Sequence, residues 1–193
     1  MNKTKRKIFD TAMKLFSENG YTETSVEEIT AVTGIAKGTL YYHFSKKEDI
    51  LYFLIDEGMK LLKNSIEIKT AKVDTAVEKI KAIILIQIKI ALKYESIITL
   101  VLSQMWGKKE RNTKCQECMF EYIDVIKKIV EEGMQKNELK KCDPEAVATS
   151  IFGLITSCLS YKIMKKNSEN VNDVYETFSK TILEGIQIEN SID

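Results

Sequence analysis

Residues 37–44 read Lys-Gly-Thr-Leu-Tyr-Tyr-His-Phe and concentrate hydrogen-bond donors and aromatic rings in one short stretch. If the stretch is helical, Leu40 and Phe44 lie four residues apart on one face and anchor it to a core. The remaining side chains then point outward, since two consecutive tyrosines cannot both point inward. An outward face of this kind indicates contact with the base edges and phosphates of DNA.

The only histidine of the chain is His43. A Ser-His-Asp triad, a Cys-His pair or a multi-histidine metal site would have to take that histidine from the outward face. We therefore predict no enzymatic activity, no catalytic residue and no cofactor. A purely structural role for His43, at the end of the helix, stays open.

Four cysteines are few for 193 residues, and we expect reduced thiols. Cys115 and Cys118 lie three apart and, in a helix, share one face, so they could bind a soft metal or oxidise to a disulfide. A structural zinc site needs four ligands, and Cys142 or Cys158 would join only if folding brought them close. We predict no metal site, and keep thiol or metal sensing as the alternative function.

The sequence between residues 25 and 44 predicts two short helices that meet at a tight turn. Ser25 and Glu28 form a capping box that starts a helix with Val26, Ile29 and Val32 on its inner face. Gly34 supplies the turn, and a second box, Ser45 with Glu48, starts the next long helix. This is the pattern of a DNA-reading helix-turn-helix.

The rest of the chain predicts helix as well. Pro144 is the only proline, and aliphatic residues recur at spacings of three and four. We expect further helices near residues 3–18, 46–68, 74–94, 96–108, 113–136, 144–165 and 172–188. The fold class is therefore all-α, with a three-helix DNA-binding domain at 1–46 and a larger helical ligand-binding and dimerisation domain at 47–193.

Charge is local rather than global. The net charge is +1, but residues 1–47 hold eight Lys and Arg against five Asp and Glu. The start of the chain has no secretory signal pattern, and the most apolar stretch, 82–92, is too short to span a bilayer. We expect a cytoplasmic protein with no membrane partner.

The second domain offers candidates for a ligand pocket and for a dimer face. Aromatic and thioether side chains with a few polar groups predict a cavity for a small, largely apolar molecule. Its candidate lining is Gln87, Tyr94, Met105, Trp106, Met119, Tyr122 and Phe152. Apolar stripes on the last two helices predict a homodimer interface at Ile151, Leu154, Ile155, Cys158, Leu159, Val174, Phe178 and Ile182.

A family resemblance rests on residues spread over the first fifty or so positions. They are Ala12, Leu15, Phe16, Gly20-Tyr21, Thr24-Ser25-Val26, Ile29, the run from Gly34 to Phe44, Lys47-Glu48 and Leu51. On these residues the chain resembles the N-terminal domain of TetR-family transcriptional regulators. The remainder shares only the helical plan of that family.

The resemblance implies roles for particular residues. Ala36, Lys37, Gly38, Thr39 and Tyr41 would face base edges. Thr24, Ser25, Tyr42, His43 and Lys47 would hold phosphates. It also implies a homodimer closed by a four-helix bundle, bound to palindromic operator DNA. We expect a repressor that a small-molecule effector releases from its operator. A helical ligand-binding or enzymatic module is the more distant alternative.

Overall fold

A computed structural model of the chain describes residues 1–95, 109–165 and 170–188, with the side chains of 109–115 and 162–164 left undescribed. In these ranges the chain is helical, as predicted. The helices are α1 Lys3–Asn19, α2 Val26–Thr33, α3 Lys37–His43, α4 Lys47–Thr70, α5 Ala76–Lys93, α6 Lys109–Gln135, α7 Pro144–Lys165 and α8 Val171–Ile186. The predicted helix at 96–108 lies outside the described residues.

The chain divides into two compact units. Unit 1 holds residues 1–60 with the described part of 94–118, and unit 2 holds residues 61–93 with the described part of 119–193. The predicted domain boundary after residue 46 stays a prediction.

Local signals set the ends of α2. The Ser25 hydroxyl accepts from the Glu28 amide at 3.1 Å, and the Glu28 carboxylate accepts from the Ser25 amide at 2.6 Å. These two hydrogen bonds complete the predicted capping box. They also give acceptors to two backbone amides that have none within the helix. Gly34 ends the helix at φ 64°, a left-handed conformation that costs glycine nothing.

The core of unit 1 is apolar and draws on α1, α2, α3, α4 and the start of α6, where α1 packs on α2 and α2 on α3. Leu40 and Phe44 lie in it, as predicted from their spacing. Their buried neighbours are Ile8, Ala12, Phe16, Tyr21, Val26, Ile29, Ile50, Leu51, Leu54, Ile55 and Cys118. Each large aliphatic buried here stabilises the fold by about 1.5–3 kcal/mol.

Two local predictions in unit 1 are wrong. Val32 was expected inside, yet it is 63% exposed, and the buried residue is Thr33. Thr33 is tolerated there because its hydroxyl donates to the Ile29 carbonyl at 2.7 Å. At the start of α4, the Asp49 carboxylate accepts from the Lys46 amide at 3.1 Å, one residue later than the predicted Ser45–Glu48 box.

In unit 2, α5 packs against both α7 and α8. Asp143 caps α7 as predicted, accepting from the Glu145 amide at 2.9 Å, with Pro144 as the first helical residue. Beyond α6, Leu139 forms an antiparallel bridge with Gln187 just after α8. None of the described helices is long and apolar enough to cross a membrane.

Candidate functional site

The face of α3 opposite its anchors is open. All five residues expected to face base edges, Ala36, Lys37, Gly38, Thr39 and Tyr41, are exposed. The side chains of one short helix therefore present hydroxyl, ammonium and phenol groups, and Leu40 on the opposite face is fully buried. These are the group types that bond base edges in a major groove.

Lys37 is held in place before any DNA arrives. Its ammonium donates to the Glu27 carboxylate across the turn and lies 5.9 Å from the centroid of the Tyr41 ring. The hydrogen bond from Lys37 lowers the pKa of Glu27, and the same bond raises the pKa of Lys37. Lys37 therefore stays charged, although an exposed pair of this kind adds little stability.

Tyr42 and His43 differ in exposure. Tyr42 is 85% exposed, the most open of the exposed aromatic side chains. Its ring meets that of half-buried His43 edge to face, with centroids 5.2 Å apart. Tyr42 is therefore free to reach a phosphate, and His43 supports it from the side.

Three other residues expected to hold phosphates use their polar side-chain groups within the protein. Thr24 is buried, and its hydroxyl donates to the carbonyls of Leu15 and Gly20. The Ser25 hydroxyl belongs to the capping box. The Lys47 ammonium donates to three backbone carbonyls. Their expected contacts with phosphates stay predictions, alongside the positive N-terminus of α2.

Unit 2 buries a polar network inside an apolar core. The Tyr122 hydroxyl donates to Gln87 Oε1 at 2.9 Å, and Gln87 Nε2 donates to Thr156 Oγ1 at 3.3 Å. Tyr122 is 1% exposed and Gln87 8%. Burial raises the pKa of Tyr122, so the phenol stays neutral and remains a donor. Other buried residues of unit 2 include Ile83, Ile84, Ile88, Ile126, Ile155 and Leu159.

Of the predicted pocket residues, the structure brings Gln87, Tyr122 and Phe152 together. The Phe152 ring meets the Tyr122 ring edge to face at 5.8 Å. Tyr94 and Met119 are half-buried. Met105 and Trp106 lie outside the described residues. Sequence reasoning missed Thr156, which a helical spacing of four from Phe152 could have placed on the same face.

The predicted dimer stripes lie mostly in the core of the protomer itself. Leu154 and Cys158 are half-buried, whereas the other six of the set are buried within the single chain. Those six are Ile151, Ile155, Leu159, Val174, Phe178 and Ile182. The predicted interface stays a prediction, and the burial of these six side chains within one protomer leaves little of their surface for a partner.

The thiols give no second kind of site in the described part of the chain. Cys118 is buried, Cys158 is half-buried, and Cys142 is exposed with its thiol 3.3 Å from the Lys140 carbonyl. No group of three or more His, Cys, Asp or Glu among the described residues could hold a metal ion. The Cys115 side chain lies outside them.

Family models match both units. The model for bacterial regulatory proteins of the tetR family matches residues 8–52. The model for the C-terminal region of YsiA-like protein matches residues 55–185, more than half of the chain.

Individual relatives agree with the family models along nearly the whole chain. The fatty acid metabolism regulator protein of Bacillus subtilis strain 168 is 28% identical over 181 residues, 93% of each chain. A structure from Clostridium perfringens, described as a fatty acid metabolism regulator, is 32% identical, with a TM-score of 0.86 over 95% of this chain and 100% of that one. The transcriptional regulator FadR of B. subtilis in complex with stearoyl-CoA is 26% identical, with a TM-score of 0.87 over 94% and 99%.

The tetR-family model, over residues 8–52, thus includes the helix-turn-helix at α2 and α3. The model for the C-terminal region of YsiA-like protein, over residues 55–185, covers most of the helical remainder. Relatives of this length and similarity are transcriptional regulators. The chain belongs to the tetR family of bacterial regulatory proteins and is a DNA-binding transcriptional regulator that responds to a ligand.

Proposed function

We propose that the protein is a homodimeric repressor whose effector is a fatty acyl-CoA. The observation that carries the DNA-binding half is the open face of α3, where five candidate base-reading residues are exposed above a buried Leu40. The phosphate contacts in this proposal are Tyr42 with the N-terminus of α2. Because its partner would be chromosomal operator DNA, the protein would work in the cytoplasm, as a regulator rather than an enzyme.

The effector class follows from the core of unit 2. An acyl chain suits the isoleucine-rich interior, and a carbonyl group suits the only kind of polar contact that Gln87, Tyr122 and Thr156 offer, a neutral hydrogen bond. The relative that binds stearoyl-CoA is similar to this chain over nearly its whole length. We expected a largely apolar ligand, and an acyl-CoA adds a charged head to such a chain.

The dimer surface proposed here extends the predicted stripe, of which Ile151, Leu154 and Ile182 line a groove. On α7, exposed small residues recur about one turn apart, at Ala146, Ser150, Gly153 and Ser157. On α8, Thr177, Thr181 and Gly185 do the same. A groove of about 300 Å³ runs between these helices and is lined by Ala146, Ser150, Leu154, Thr181 and Ile186 among others. Small side chains let helices approach closely, as a four-helix bundle formed by two copies requires.

Repression and release then follow from geometry. Two recognition helices enter successive major grooves only if they lie about 34–36 Å apart. An effector that binds better to a different separation weakens DNA binding by linkage, with a coupling of about 1–3 kcal/mol. The 24-residue helix α4 starts in unit 1 and ends in unit 2, so it is the natural element to carry the change.

The experiment is an anisotropy titration of a labelled duplex that the wild-type protein has selected from a random pool. We expect stearoyl-CoA to weaken binding about 5- to 150-fold, while stearate alone and coenzyme A alone act far less. Gln87→Leu should blunt the response without lowering affinity for the duplex. The proposal fails if no acyl-CoA between short and long chain length alters either duplex affinity or the thermal midpoint.

The dimer is tested separately by sedimentation. Gly153→Glu and Thr181→Glu place a charge on the proposed face and should give monomers at micromolar concentration. Thr149→Glu on α7 and Asn172→Glu on α8 add the same single negative charge at exposed positions outside that set and serve as charge-matched controls. A wild-type monomer, or a dimer unaffected by the first pair, would contradict the proposed interface.

A further inference from the structure

A carboxylate lies at the edge of the face proposed to meet DNA. The first turn of α2 carries two acidic residues, Glu27 and Glu28. Glu28 belongs to the capping box and accepts from Ser25, whereas the Glu27 carboxylate accepts from the Lys37 ammonium on α3. The side chains of this second pair are 62% exposed at Glu27 and 54% exposed at Lys37. The pair therefore joins the two helices of the helix-turn-helix on their outer side.

Stability does not explain this ion pair. A pair between exposed side chains adds little to the free energy of unfolding. The turn is already set by Gly34, at φ 64°, and α3 is anchored by Leu40, which is fully buried. A carboxylate at this place also repels DNA, because the phosphates form a dense line of negative charge. What the pair does change is the freedom of the Lys37 ammonium.

An unrestrained Lys37 would bind phosphates. A lysine ammonium is a compact charge on a flexible stem, and phosphate contacts carry no sequence information. Bonded to Glu27, the Lys37 ammonium lies 5.9 Å from the centroid of the Tyr41 ring, beside another candidate base-reading side chain. An ammonium has three N–H donors, so Lys37 can donate to a base edge while it remains bonded to Glu27.

We propose that Glu27 is a specificity-determining residue. It positions Lys37 toward the base edges and keeps the lysine charge from the phosphates of unrelated sequences, which lowers non-specific affinity and raises the ratio of specific to non-specific affinity. Glu27 acts through Lys37 and is therefore a positioning residue. This inference rests on the proposed function, in which α3 is the reading helix and Lys37 faces base edges.

A matched control lies just before α2. Glu23 is exposed and precedes the N-cap residue Ser25 by two positions. Glu23→Gln and Glu27→Gln remove the same charge near the same helix end, but only the second releases Lys37. Lys37→Met supplies a background in which Glu27 has no ammonium to hold. The thermal midpoints of these variants should barely differ from that of the wild-type protein, since the substituted side chains are exposed.

The experiment measures the affinity of the full chain for the selected duplex and for a scrambled duplex of the same length, as salt is varied. Near about 0.1 M salt, Glu27→Gln should bind the scrambled duplex about five- to tenfold more tightly. The slope of log affinity against log salt on that duplex should steepen by about 0.9, because one more phosphate is neutralised. The selected duplex should gain much less, because a base edge already uses the Lys37 ammonium. The ratio of the two affinities should therefore fall about fivefold.

The ratio of affinities decides the inference. In the Lys37→Met background, Glu27→Gln should leave the ratio unaltered, and Glu23→Gln should leave it unaltered in the wild-type protein. The inference is overturned if Glu27→Gln preserves the ratio, whether both affinities rise together or neither moves. It is equally overturned if the ratio falls as much in Glu23→Gln or in the Lys37→Met background, since Glu27 would then not act through Lys37. A wild-type protein that binds the two duplexes alike would instead overturn the proposed function.

Discussion

The two units place their functional groups differently with respect to their own cores. In unit 1 the candidate reading residues, such as Lys37 and Tyr41, lie outside the core, whereas in unit 2 Gln87 and Tyr122 lie within it. Function and stability should therefore be separable by mutation in unit 1 and coupled in unit 2. Substitutions in each unit test that difference.

The largest expected effect is on stability in unit 2. At Gly133, an added Cβ would lie 2.6 Å from the Ala76 side chain and 2.7 Å from that of Leu139. Neither α5 nor the segment after α6 can yield freely, because the Glu138 carboxylate also caps the Ala76 amide. We expect Gly133→Ala to lower the free energy of unfolding by about 1–3 kcal/mol. Calorimetric unfolding of the variant and of the wild-type protein measures this loss.

The matched control is Gly38→Ala on α3, outside unit 2 and its proposed dimer face. A Cβ there meets nothing within 4 Å, so alanine should stabilise that helix slightly. If Gly133→Ala were as stable as Gly38→Ala, the close approach at Gly133 would be wrong.

The next effect is on DNA binding by unit 1. Lys37→Ala and Tyr41→Ala should each cost about 1–3 kcal/mol of operator affinity, because each removes a group proposed to face base edges. The thermal midpoint should barely move, since both side chains are exposed. Fluorescence anisotropy measures the operator affinity and thermal unfolding measures the midpoint. Tyr161→Ala, at another exposed tyrosine, is the control. Unchanged affinity in both variants would remove α3 as the reading helix.

The third effect shows the coupling in unit 2. Tyr122→Phe leaves Gln87 Oε1 buried without its donor, which should cost about 1–3 kcal/mol of stability. Adding Gln87→Leu should recover part of that loss, because both polar partners are then gone. Tyr161→Phe, at an exposed ring, should be neutral. Additive losses in the double variant would show that the two side chains do not act as a pair.

Sequence reasoning succeeded mostly where the physics is local, although the inward side of Val32 and the Ser45–Glu48 box were wrong. The Ser25–Glu28 box, the turn at Gly34 and the cap at Asp143 each involve residues within four positions, so spacing alone specified them. In unit 2 the polar network joins residues 35 and 69 apart, and no local pattern reports such contacts.

Tertiary contacts could not be predicted from residue type and spacing. The stripe on α7 and α8 is as apolar as an interface should be, yet most of its side chains are buried within the single chain. Lys47 has the charge of a phosphate ligand, and in the structure its ammonium donates to loop carbonyls more than twenty residues earlier. Residue type restricts what a side chain can bind, and only the fold decides which partner it meets.

A smaller effect separates stability from binding within one residue of unit 1. A Cβ at Gly38 meets nothing within 4 Å in the free protein. Gly38→Ala should therefore stabilise α3 by about 0.5–1 kcal/mol and still weaken operator binding, because the methyl group lies on the DNA-facing side. Gly34→Ala should instead destabilise, since φ is 64° there. Unaltered operator affinity in Gly38→Ala would show that no DNA backbone approaches this position.

The smallest effect concerns the pH dependence of the α2 cap. Hydrogen bonds from the Ser25 amide and hydroxyl lower the pKa of the Glu28 carboxyl below its ordinary 4.5. A depressed folded-state pKa means that the ionised cap stabilises the fold above the unfolded pKa, and that this contribution is lost as pH falls through the folded value. Glu28→Gln keeps the shape of the cap without the charge. The thermal midpoint of the wild-type protein should therefore exceed that of Glu28→Gln at neutral pH, and the gap should close in acid below the ordinary pKa. In a Ser25→Ala background the gap at neutral pH should be smaller but still present, because the hydroxyl donor is gone whereas the Ser25 amide, the larger cause of the lowered pKa, still donates to the carboxylate. A gap that persists in strong acid would show that it does not come from ionisation of Glu28.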